Sequence, residues 1–400
     1  MVVPLSRRIS ARDLFEEPFR LFFPAAVLVG FLGVMLWPMY FAGLYPNYPG
    51  ISHARLMAHG FFGGFILGFL GTALPRMLSV PHFSRHEIGV FLGLYAVMVT
   101  AHLAGRNVLG DGFLLCLLIA FTWRAGIRFA RRNDLPPPGF VLLPLAFGCA
   151  AAGAILSLVG IDPEASAPWM TLQRLLLYQG FVLLPILGVG AFILPRFFGA
   201  ASRHEFPEST SPPPGWWRRA SLAAGAGGVI LFSFGVEAFG GVRAGPAIRL
   251  VTTAAYLLRE VPLFQAGVKS GSLYRALRIA FWALLSGLAG IAVFPGFRVA
   301  LLHLTLVGGL GVITLTVATR VVFGHSGHQA LLAARNRWFF VAIGLMLFGM
   351  TTRITGDFLP RIQASHYVYG ALMWVAGLAL WAWYVLPKIA LTESPAAIDT

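Results

Sequence analysis

Apolar residues in this chain come in long unbroken runs, not in the spacing of elements that bury one face only. Twelve such runs fall at approximately 18–44, 52–78, 86–105, 108–131, 139–160, 169–199, 218–240, 245–268, 272–295, 298–322, 334–356 and 365–388. Each reaches the roughly 20 residues that a helix needs to cross a hydrocarbon layer about 30 Å thick. The Pro-rich connectors Asn133–Gly139 and Glu205–Gly215 read as loops between spans, not as domains. The pattern predicts an all-α polytopic membrane protein, a single transmembrane domain over residues 1–400.

One stretch of this pattern repeats. SHARLMAHGFFGGFILGFLGTALPR (Ser52 to Arg76) returns 120 residues later as QGFVLLPILGVGAFILPR (Gln179 to Arg196). Gly60, Phe61, Ile66, Leu67, Gly68, Leu74, Pro75 and Arg76 there meet identical residues. A fainter copy, HLTLVGGLGVITLTVATR (His303 to Arg320), sets His303 opposite His59 and Arg320 opposite Arg76. Repetition at a fixed period marks repeated architecture. It divides the twelve spans into three pseudo-repeated four-helix modules at approximately 18–131, 139–268 and 272–388, with spans 2, 6 and 10 as equivalents.

Composition sharpens the class. Of 400 residues 58% are hydrophobic and 11% charged, and mean hydropathy is +0.77, beyond what a soluble domain buries. The net charge of +15 does not imply nucleic acid, because the basic residues are spread over short connectors. With both termini cytoplasmic, 21 Lys and Arg fall on inner segments and 8 on outer ones, with Arg259 inside span 8. That bias predicts an inner-membrane protein of this orientation, its main partner the lipid bilayer. The N-terminal segment lacks the apolar core of a cleavable signal. Cys116 and Cys149 lie in apolar runs without a CxxC or CxxCH motif, against structural disulfides and c-type haem.

Five of the ten histidines gather at one depth: His53, His59, His303 and His366 near the starts of even spans, and His102 near the end of span 3. An imidazole in hydrocarbon is costly and faces a cavity or the bundle interior. A single one is as readily a side chain bonded to a carbonyl; five at one depth favour metal or haem ligation. A b-type haem asks for two opposed imidazoles and a flat apolar slot. Gly60, Gly63, Gly64, Gly68 and Gly71 in span 2, with Gly308, Gly309 and Gly311 in span 10, offer such a slot or close helix packing, packing explaining most of them. His53 and His59 stand about 240° apart on a helix and cannot share one metal. Two sites follow, or one ligand and one structural histidine, with His366 and His102 as candidates for the second site. Copper accepts imidazole, but no HxH or HH pair marks a copper centre, and GHSGH (His325, His328) reads as a turn at the inner end of span 10. Arg55 and Arg298 flank the ligand candidates, as partners for haem propionates or as interface residues. Glu237 in span 7 and Glu260 in span 8 are candidate proton carriers, Glu260 alternatively paired with Arg259.

The stretches SHARLMAHGFFGGFILGFLGTALP, YQGFVLLPILGVGAFILPRF and HLTLVGGLGVITLTVATRVVFGHSG resemble the NnrS family of haem- and copper-containing membrane proteins linked to nitric oxide stress. His53, His303 and His325 fall on family histidines. Arg55 stands where the family has a second histidine, and His59 where it has phenylalanine, which implies a ligand moved from 55 to 59. The threefold four-helix layout is also similar to the catalytic subunit of haem-copper oxidases and nitric oxide reductases. That likeness implies a similar bundle, with His59 and His303 as the axial pair of haem b, and His53, then His366 and His102, behind them. The paired copper-ligating histidines of that superfamily are absent, so its oxygen reduction and proton pumping are not implied.

The resemblance implies a haem protein of nitric oxide metabolism that binds or reduces nitric oxide or a similar small gas, or passes electrons from a quinol or cytochrome. The enzyme reading is a nitric oxide reductase-like oxidoreductase. The alternatives are a cofactor-free twelve-helix transporter, which would use inverted repeats and broken helices, and a non-catalytic haem sensor or maturation factor.

Overall fold

A computed structural model describes residues 6–160, 167–200, 209–263, 271–332 and 334–393. His204 and part of the Glu205–Gly215 connector lie outside the described residues. Hydrocarbon offers backbone groups no hydrogen bonds, so the chain satisfies them within helices. In order these are α1 (Phe19–Phe41), α2 (Gly50–Met77), α3 (Arg85–Leu103), α4 (Asn107–Ala130), α5 (Pro138–Val159), α6 (Ala167–Phe197), α7 (Trp216–Ala238), α8 (Ala244–Glu260), α9 (Ser272–Val293), α10 (Pro295–His325), α11 (Arg337–Phe358) and α12 (Pro360–Ala390). Eleven of them, among the described residues, are long and apolar enough to cross a membrane. The eighth, α8, has 17 residues and carries Arg249 within it, which leaves it shorter and more polar than the rest.

The repeat helices take the centre. In its most apolar window α2 is 78% buried and α6 67%, against 22% for the peripheral α4. Phe65 and Phe69 of α2, Pro185 and Val189 of α6, and Ile313 and Val317 of α10 line one apolar cavity between the three helices. One hydrophobic cluster runs from Phe19 to Ile389. Outward-facing Leu28, Ile119, Trp123, Phe232, Trp282 and Trp383 are exposed, an apolar perimeter that a hydrocarbon solvent tolerates and water does not.

Each central helix is interrupted in the same way. A π-helical segment occupies Leu56–Phe62 in α2, Leu175–Gly180 in α6 and Leu304–Gly311 in α10, all toward the N-terminal end of the helix. Such segments cluster at functional sites because the extra residue re-aims the side chains around it. The glycines of α2 and α10 serve close approach. A Cβ on Gly60 would stand 2.4 Å from Val29, one on Gly64 2.7 Å from Ala26, and one on Gly309 2.8 Å from the Leu284 backbone. Packing, not a flat slot, accounts for these three positions.

The first and last described segments lie at the same end of the bundle, where Ser6–Arg8 pairs antiparallel with Leu391–Glu393. Beneath this ladder Glu17 accepts hydrogen bonds from Arg20 (2.7 Å), from His325 at the end of α10 (2.6 Å) and from Arg76 at the end of α2. Arg20 also donates to the carbonyls of Ile389 and Leu391. Three chain segments are thus tied to one carboxylate.

Burial pushes the Glu17 carboxyl upward. The hydrogen bond and charge of His325, with the charges of Arg20 and Arg76, outweigh it and hold the group at about 2, below its ordinary 4.5. A depressed carboxyl stabilises the fold above its unfolded value and loses that contribution as pH falls through the folded one. The melting temperature of the detergent-solubilised protein is therefore expected to drop between pH 4.5 and 2. Glu17→Gln should lower it at neutral pH and flatten this part of the profile; an unchanged profile would show that the carboxylate contributes nothing there.

Candidate functional site

At the end of the bundle opposite the termini, the structure brings four of the five expected histidines into two pairs. His53 of α2 and His303 of α10 face one another, half-buried, with ring centroids 6.4 Å apart and planes 13° from parallel. The Nδ1–H of His53 donates to the Gly33 carbonyl of α1 at 3.0 Å. That of His303 donates to Val299, one turn back in α10, at 2.7 Å. A carbonyl only accepts, so both rings are fixed in the tautomer that leaves Nε2 with a free lone pair, the state a metal ligand needs. Two imidazole nitrogens each about 2.0 Å from one metal would set the centroids roughly 6 Å apart. The observed centroid separation is of that size.

Trp37 lies edge-on to His53 at 6.1 Å and also contacts Tyr367. The cation beside the pair is Arg353 of α11. Its charge acts on both rings, its guanidinium sits 3.7 Å above the Tyr367 ring, and it pairs with Asp357 at 2.7 Å.

His59 points elsewhere. It is buried with His102 of α3, ring centroids 5.7 Å apart, and with Asp111 of α4. Asp111 Oδ1 stands 3.9 Å from His59 Nδ1 and 4.0 Å from His102 Nε2, and the three donor atoms lie within 4.8 Å of one another. Arg55 holds Asp111 in a fork, Nε to Oδ1 at 2.8 Å and Nη2 to Oδ2 at 2.6 Å, and also donates to the Tyr178 hydroxyl at 3.0 Å.

The expected pairing of His59 with His303 is thus replaced by His53 with His303 and His59 with His102. Aligning Arg76 with Arg320 matches His303 to His59, but His59 lies inside the π segment of α2 and His303 just before that of α10. Spacing along the sequence therefore does not carry over to facing. Arg55, expected beside a cofactor, is committed to Asp111, and Arg298 reaches Glu237 at 3.2 Å. His366 bonds its own helix at Ile362 (3.1 Å), its ring beside Tyr369.

The proposed proton carriers are also engaged. Glu237 pairs with the wholly buried Arg249, which donates further to Gln179 and Ser233. Glu260 takes Arg219 at 2.6 Å, with the expected partner Arg259 further off at 3.6 Å. Beside the expected histidines the structure places one further residue, Asp111. Its signal is a lone carboxylate four residues into an apolar span, in LGDGF.

The NnrS family model, described as NnrS protein, matches residues 13–391. No curated protein matches the chain.

The Glu237–Arg249 pair is buried on both sides. Removing one member of such a pair strands the other charge and costs about 3–5 kcal/mol, whereas replacing both by apolar residues costs far less. Glu237→Gln is expected to destabilise the detergent-solubilised protein on that scale in thermal unfolding, and Glu237→Leu with Arg249→Met to recover most of the loss. A Glu237→Gln variant as stable as wild type would instead leave the carboxyl free for proton transfer.

Proposed function

We propose that this chain, which belongs to the NnrS family, serves the nitric oxide response as an integral membrane protein that holds a b-type haem between His53 and His303. One observation carries the haem reading: two imidazoles from different central helices, each with Nδ1 tied to a backbone carbonyl and Nε2 left free, at the spacing of one metal atom. The bound haem would supply an iron centre able to take a small gas or an electron. This chain's residues would do the rest. Gly33 and Val299 fix the ligand tautomers, Arg353 offers a cation to a propionate, and Trp37 with Tyr367 forms an aromatic wall. The apolar cavity between α2, α6 and α10 gives a small uncharged molecule room in the bundle.

The basic residues follow the positive-inside pattern, which supports termini on the cytoplasmic side and the His53–His303 pair facing the periplasm. A quinol or a cytochrome would be the electron donor of a reductase reading. Transport is the weaker reading, because the three central helices run through their π segments without the mid-membrane break that transporters use.

Protein purified from haem-sufficient cells is expected to show a Soret band that sharpens on reduction. His53→Ala or His303→Ala should abolish it, and His366→Ala should leave it. A Soret band that survives both alanine replacements overturns this ligand pair. Nitric oxide consumption by the reduced protein, followed with an electrode, then separates a reductase from a binder.

A further inference from the structure

The ion pairs Arg55–Asp111, Arg249–Glu237 and Arg353–Asp357 are each closed, whereas buried imidazoles beside the first of them lack hydrogen-bond partners. In the second repeat, the equivalent of His59 is Gln179, and it accepts a hydrogen bond from Arg249, itself paired with Glu237. In the first repeat, Arg55 and Asp111 satisfy each other and leave the histidines out. Both ring nitrogens of His59 and Nε2 of His102 are buried without a hydrogen-bond partner. An unpaired polar atom in a low-dielectric interior costs on the order of 1–3 kcal/mol, so three of them around one point form an expensive arrangement unless something binds there.

We propose that His59, His102 and Asp111 bind a single late first-row transition-metal ion in an enclosed site separate from the His53–His303 pair. Two imidazoles and one carboxylate oxygen are a donor set that such ions accept, whereas magnesium and calcium call for oxygen ligands. The supporting shell is in place. His102 Nδ1–H donates to Asn107 Oδ1 at 3.1 Å, which turns the Nε2 lone pair toward Asp111, and Asn107 Nδ2 is anchored on Ser52 at 3.2 Å. Arg55 fixes the carboxylate from the far side and offsets its charge, so the site is less anionic than an open triad. Donors at about 2.1 Å from a tetrahedral ion stand about 3.4 Å apart. The 3.9 and 4.0 Å separations therefore close by about half an ångström on binding, and the third, within 4.8 Å, by up to about 1.4 Å, which asks for rotation of both rings.

The test uses the full-length purified protein. Elemental analysis of wild type should find one transition-metal ion per chain beyond haem iron. After chelation, Co2+ titration should produce visible d–d bands that saturate at one equivalent. His59→Phe removes the unpartnered ring with little change of volume, and His102→Gln is a second, independent variant. Each should cut metal content and the cobalt bands about tenfold or more, with monodisperse elution and, where haem is present, an unchanged Soret band. His303→Ala should do the reverse, losing the Soret band and keeping the metal. Wild type with no bound metal and no cobalt bands would overturn the proposal and leave a hydrated polar pocket. Variants with wild-type metal content would overturn it too, as would loss of the Soret band in His59→Phe, which would merge the two sites. Absence of haem from wild type would sink the haem reading alone, because the metal measurements do not depend on it.

Discussion

Hydrocarbon accepts no hydrogen bonds, and that constraint organises the molecule. It forces the backbone into helices and leaves each buried charge with only other protein groups to answer it. The consequence is visible in three ion pairs. Arg55 grips Asp111, Arg249 meets Glu237, and Arg353 meets Asp357. These pairs cross-link or stiffen helices at the end opposite the termini, while Glu17 gathers α1, α2 and α10 at the end that carries them. The imidazoles left over between the pairs become the candidate chemistry.

The π segments decide where those imidazoles point. In α2 the segment begins three residues after His53 and contains His59. One ring is thereby sent toward α10 and the other toward α3 and α4. In α6 the equivalent segment ends at Gly180, just after a glutamine, and the site there is a closed hydrogen-bonded network. The three repeats share a backbone device and have diverged in what it presents: two histidines, a glutamine, and one histidine. The two histidine groups differ physically. His53 and His303 are half-buried with one nitrogen each tied to a carbonyl. His59 and His102 are enclosed beside a carboxylate, and ring nitrogens of both lack hydrogen-bond partners.

Much of this was legible in the residues. Unbroken apolar runs specify membrane helices because span length is set by bilayer thickness, and the repeat of LPR-terminated spans marked α2, α6 and α10 as equivalent before their central position was seen. The matched stretches pointed to the NnrS family. The angle between residues 53 and 59 anticipated that their rings have separate surroundings. Asp111 was readable by the same rule that singled out Glu237, namely a carboxylate inside an apolar span.

What the order of residues determined by itself, then, is the class and the equivalence of three helices, both of which follow from hydropathy and periodicity along one dimension. Which imidazole meets which was settled only by tertiary structure. It depends on the rotation that π turns insert into a helix, on Arg55 choosing Asp111, and on neighbours as far apart in sequence as His53 and His303. A pairing across helices is a property of facing surfaces, and the spacing of residues within one helix does not contain it.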